Sequence, residues 1–161
     1  MKNFITKEDL SDCSDFKEVF YTIDGKIEKF LDDNEDKLEK LPDEFKDYAY
    51  IIPEVKYILN AGFSSYYYHC EESYFLLAIK AFKNLGLTKA SDILNKAHNY
   101  YLEIKKNNSN LSKDAISQEY MCYENKLIKD LETDYFNNID YEFIETYIGE
   151  HFAKLYKMEL D

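Results

Sequence analysis

Apolar residues recur along this chain at helical spacing, and no stretch alternates in the manner of a strand. Phe16, Val19, Phe20, Ile23, Ile27, Phe30 and Leu31 share one side of a predicted helix, opposite Lys17, Glu18, Asp24, Lys26, Glu28 and Asp32. Ser14 stands where its N-cap belongs, with Glu18 in the first turn. Gly25 weakens this helix but lies off the apolar stripe. The run "DDNEDKLEKLPDEF" breaks the pattern, with turns at Asn34 and Pro42. A second helix is predicted from about Asp43, burying Phe45, Tyr48, Ala49 and Ile52. Pro53 either kinks it or starts a new helix, and Val55, Ile58 and Leu59 continue the core.

Asn60-Ala61-Gly62 reads as a helix end, with Gly62 free to take positive φ. Phe63 packs back, and Ser64 or Ser65 caps the short helix that follows. Tyr66, Tyr67 and Tyr68 cannot all face one way, so two are expected inside and one at a polar partner. Phe75, Leu76, Ile79 and Phe82 form the next stripe, closed by Gly86. Thr88 is read as the cap of a helix carrying Ala90, Ile93, Leu94, Ala97, Tyr101 and Ile104. Lys105 to Ser112 is the clear loop. A helix from about Ser112 or Glu119 holds Met121, Leu127, Ile128 and Leu131. The last begins near Asp140 with Phe143, Ile144, Tyr147, Ile148, Phe152 and Leu155. The pattern predicts an all-α fold, one compact multi-helix bundle over residues 1–161.

Composition supports helices, since Gly and Pro number only 4 and 2. Rings make up 17% of the chain, so many must fill the core. The net charge is −12, and every basic residue is lysine. Without arginine's bidentate fork, and at this charge, direct nucleic-acid binding is not expected. No apolar run is long enough to span a bilayer and the N-terminus lacks a signal-peptide core, so a cytoplasmic place is expected. Charge is uneven: net −8 over 1–54, +3 over 55–118 and −7 over 119–161. The two acidic ends are expected to form one negative face, carried by Asp32, Asp36, Glu39, Asp43, Asp47, Asp130, Asp134, Glu142 and Glu145. Carboxylates at i and i+4 on a helix lie about 6 Å apart along the axis. Glu8/Asp12, Asp32/Asp36, Glu35/Glu39, Glu39/Asp43, Asp43/Asp47 and Asp130/Asp134 have that separation in sequence. It is of the order of the phosphate spacing on one DNA strand.

No catalytic constellation emerges. His69 and Cys70 are neighbours, which on a helix point about 100° apart and make no dyad. Cys13, Cys70 and Cys122 are scattered, and His98 and His151 lie far from any ligand spacing, so neither metal nor cofactor is expected. The tyrosine run reads as core and as contact in a homodimer.

"LNAGFSSYYYH" followed by "AIKAFKNLGLTKASDILNKA" resembles the DMP19-like family of bacterial DNA-mimic proteins. Asn60, Gly62, Phe63, Tyr66 and Tyr67 match the family's helix end and aromatic pair. Ala78, Ala81, Phe82, Leu85 and Gly86 match its next helix, and Leu94, Lys96 and Ala97 the one after. "LETDYFN" and "FIETYIGEH" are similar to its acidic-aromatic tail, and the likeness covers about Pro42 to His151. Ala61 departs from it, standing where the family usually has glycine. The resemblance implies a helical, non-enzymatic protein whose carboxylates imitate DNA phosphates and occupy a basic DNA-binding protein. An immunity protein that neutralises a basic toxin is the alternative consistent with the same charge.

Overall fold

The computed structural model describes residues 4–34 and 37–160. Within them all regular structure is helical: α1 (Phe16–Asp33), α2 (Asp43–His69), α3 (Glu72–Asn84), α4 (Thr88–Asn107), α5 (Lys113–Glu119), α6 (Lys126–Phe136) and α7 (Tyr141–Leu155). Short 3-10 turns occupy Glu8–Leu10 and Leu38–Lys40. The all-α expectation is therefore met. The chain divides into two compact units, the first joining Met1–Lys46 to Tyr141–Asp161 and the second running Asp47–Asp140.

In the first unit α1 packs on α7. Val19, Phe20, Ile23 and Ile27 of α1 and Ile144, Ile148, Phe152 and Ala153 of α7 are buried. Gly149 permits the approach, since a Cβ there would run into the Phe16 carbonyl. The Phe45 ring lies 4.9 Å from Phe4 and stacks on Phe152 at 5.3 Å. The cap of α1 is Asp15, not the expected Ser14: its carboxylate accepts from Glu18 N at 2.9 Å. Glu18 in turn accepts from Ser14 N at 2.6 Å and from Ser14 Oγ at 2.9 Å, one residue before the cap. Phe143 and Leu155 are 41% and 52% exposed, not core as their spacing suggested.

In the second unit α4 is the shared partner, packing on α3, α5 and α6. Ala90, Ile93, Leu94, Ala97 and Tyr101 give α4 its buried side. Its N-cap position is Leu87, and Thr88 is already helical. The α3 stripe is Phe75, Ala78, Ala81 and Phe82, whereas Leu76 is 60% exposed. The reading by bulky residues took the wrong neighbour, because small alanines face the packed side. Ser112 caps α5 and Asn125 caps α6, each through its side-chain oxygen. Leu127, beside the buried Ile128, is 45% exposed. Pro53 lies inside α2 without ending it; the non-helical residues are Ala61 (φ −151°, ψ 21°) and Gly62 (φ 72°, ψ −173°).

Candidate functional site

The break in α2 is held by a group far off in sequence. Phe63 N donates to Glu132 Oε1 at 2.7 Å, and Glu132 is 3% exposed. This carboxylate from α6 does the work that the sequence assigned to Ser64 or Ser65. Ser64 instead donates its hydroxyl to the Ser117 carbonyl at 3.0 Å. Gly62 has the positive φ that the turn requires, and a Cβ there would collide with Glu132 Oε1. Burial pushes the Glu132 carboxyl above its ordinary value, with the Phe63 N–H opposing the shift and Glu124 adding to it. Glu54, one helical stretch earlier, is 2% exposed, and its Oε2 has no hydrogen-bond partner. Burial raises it well above the usual glutamate range.

Beyond the break, Tyr66 and Tyr67 are each 1% exposed while Tyr68 is 41% exposed. Tyr67 stacks on Tyr101 at 4.9 Å and meets the edge of Phe75 at 4.6 Å. Tyr101 donates to Glu72 Oε1 at 2.7 Å, and Lys105 pairs with the other oxygen. Gly86, at the end of α3, has φ 82°. Asn60 is exposed and Phe63 buried. The His69 ring stacks on Tyr57 at 4.9 Å, while the Cys70 thiol is buried and pushed up to about 12, chiefly by that burial. A thiol so held is a packing group rather than a nucleophile. No group of three or more His, Cys, Asp or Glu among the described residues is placed to hold a metal. No helix among them is long and apolar enough to cross a membrane.

The assigned acidic residues fall in both units. Asp32, Glu39, Asp43, Glu142 and Glu145 belong to the first unit, and Asp47, Asp130 and Asp134 to the second. Asp36, and Glu35 beside it, lie outside the described residues. Several carboxylates are occupied internally: Asp43 by Lys46 at 2.6 Å, Asp130 by Lys126 at 2.6 Å and Asp134 by Lys89 at 3.0 Å. Glu142 pairs with Lys17 at 2.9 Å, Glu145 accepts from Tyr21 at 2.7 Å and Asp47 from Asn84 at 3.0 Å. The Lys46 ammonium holds Asp43 below the ordinary aspartate value. Two of the helical spacings fail. Glu8 and Glu39 sit in 3-10 turns that end before Asp12 and Asp43, so neither Glu8/Asp12 nor Glu39/Asp43 shares a helix. Asp43/Asp47 and Asp130/Asp134 do lie within α2 and α6. What the two ends of the chain do share is a unit. Its segments hold 19 carboxylates and 10 lysines, net −9, against 13 and 10, net −3, in the other.

A glycine-broken helix locked by a buried carboxylate, followed by an aromatic core, defines a class of all-α protein in which the central motif is structural. Residues 39–151 match the family model of the DMP19-like proteins, and the chain belongs to that family. No curated protein and no solved structure matches it significantly.

Proposed function

We propose that this protein acts by binding a basic protein, and that it is a DNA mimic occupying the partner's nucleic-acid-binding surface. The observation that supports this reading is the charge of the first unit, net −9 across segments drawn from both ends of the chain. Family membership points the same way, because the resemblance implies carboxylates in the place of phosphates. Internal pairing removes some of the assigned groups from consideration. Asp32 and Glu39 are exposed and keep their charge for a partner, whereas Asp130 and Asp134 already spend part of theirs on lysines. Such a surface would draw a cationic groove from a distance and lose that attraction as salt screens it.

The immobilised protein should retain a basic DNA-binding protein from its native cell, and duplex DNA should displace it. Asp32→Lys with Glu39→Lys should slow association with that protein several-fold while leaving the helical spectrum unchanged. Affinity that stays level from low to high salt, or a complex indifferent to duplex DNA, would refute mimicry.

A further inference from the structure

We propose that the outward ridge of α1, formed by Tyr21, Gly25, Glu28 and Asp32, is the docking surface for a lysine- or arginine-bearing helical segment of a basic partner, which comes closest to the α1 backbone at Gly25. The inference rests on the reading that the protein binds a basic partner, and it adds the surface that does so. At 3.6 residues per turn these four positions fall within about 60° of arc and run about 16 Å along the helix. All four are exposed. The ridge precedes residues 39–151, so the family match does not reach it.

Two features of the ridge weaken α1, and no contact among the described residues compensates for them. A glycine in a helix interior costs about 1 kcal/mol relative to alanine. Where glycine permits close packing, a neighbour stands against the missing Cβ, as Phe16 does at Gly149. At Gly25 nothing lies within 4 Å. Glu28 and Asp32 are like charges at i and i+4, an arrangement that costs a helix a few tenths of a kcal/mol. A local rule broken twice on one exposed line, without internal gain, marks a place where something outside the chain is accommodated.

The third feature is an aromatic held in place. Tyr21 is 55% exposed, yet its hydroxyl is fixed by Glu145 at 2.7 Å and its ring meets Phe20 at 5.4 Å. A tyrosine ordered before contact loses little freedom on binding and is the residue type that anchors interfaces. Next to it, Gly25 leaves open space where a side chain would stand. Glu28 and Asp32 follow along the same line and would meet ammonium or guanidinium groups one helical turn apart. Opposite charge selects a basic occupant, and the open space at Gly25 admits one that lies close along α1.

The test uses the full chain and a synthetic basic helical peptide, with lysine and arginine at every third or fourth position, labelled for fluorescence anisotropy at low salt. Gly25→Ala should raise the melting temperature, which shows an intact fold, yet weaken peptide binding about tenfold. Tyr21→Ala and the pair Glu28→Gln with Asp32→Asn should weaken it by a similar factor. Asp92→Asn with Glu103→Gln removes the same charge from the exposed side of α4 and should leave binding unchanged. If the peptide binds in a salt-sensitive way but the ridge variants bind as the parent does, the ridge is wrong while acidic protein binding stands. If the parent does not bind the peptide at low salt, ridge and acidic binding fail together.

Discussion

The first unit keeps its charge at the surface and its interior simple. Lys17–Glu142 and Tyr21–Glu145 join α1 to α7 on the outside, while the buried positions of both helices are apolar or glycine. In the second unit the net charge is small, but Glu54 and Glu132 are inside, with a tyrosine cluster around the broken helix. One unit therefore leaves its carboxylates at the surface, and the other uses two of them in its own architecture. Exposed pairs of the first kind are screened by solvent and contribute little to stability. A buried acceptor of the second kind decides whether a backbone N–H is satisfied at all. Acidic composition alone cannot distinguish the two uses.

The largest effects should come from glycines that face another residue. Gly62→Val in the second unit meets two obstacles, a φ of 72° with extended ψ and the Glu132 carboxylate. The loss expected in a denaturant titration is about 3 kcal/mol or more. Gly149→Ala in the first unit meets the Phe16 backbone alone and should cost about 2 kcal/mol. A midpoint unchanged by Gly62→Val would mean that the break in α2 is not built as described.

Next in size is the buried cap. Glu132→Ala leaves Phe63 N–H without its acceptor and should destabilise by about 2 kcal/mol. Glu132→Gln keeps a carbonyl oxygen for the same bond and removes the cost of burying a charge. It should match or exceed the parent in stability. Equal losses in both variants would show that the ionised carboxylate itself is required, and the contrast between the units would lose its main support.

Much of this was legible in the residues. The apolar stripes of α1 and α4 gave their buried faces directly, and the sequence around Gly62 announced a special backbone because only glycine occupies that region readily. The partner of that glycine was not visible, since Glu132 lies 69 residues from Phe63. A signal did exist. Glu132 stands among Ile128, Leu131 and Tyr135 on the buried side of α6, and Glu54 falls between Ile51 and Ile58 in the same way. A carboxylate on an apolar stripe points to an internal hydrogen bond or a neutral acid. The acidic surface was less legible, because sequence spacing says nothing of which lysine a carboxylate meets. Lys89 reaches Asp134 from another helix, and no reading along the chain would pair them.

The smallest effect expected is also the one that separates the units by sign. Glu54 and Glu132 both have carboxyls raised by burial above the glutamate value of 4.5, so just above that pH the folded protein binds protons there more tightly than the unfolded chain does. Their contribution is fully present below pH 4.5 and is lost as pH rises through the folded values. Lowering the pH from neutral toward 4.5 should therefore protect amides of the second unit. In the first unit Asp9 runs the other way. Its carboxylate is lowered to about 2, first by the hydrogen bond from Lys26 and then by Thr6. That contribution is present above the ordinary aspartate value of 3.8 and is lost as pH falls toward about 2. Residue-resolved hydrogen exchange, corrected for intrinsic rates, reads the two units apart. Protection around Ile51, Val55 and Ile58 should rise between neutral pH and 4.5, and Glu54→Gln should flatten that rise. Protection around Glu8 and Leu10 should stay level over that interval and fall only in stronger acid. A rise that survives unchanged in both Glu54→Gln and Glu132→Gln would place its origin in the relief of overall negative charge instead, and the buried carboxyls would then carry no separate signature.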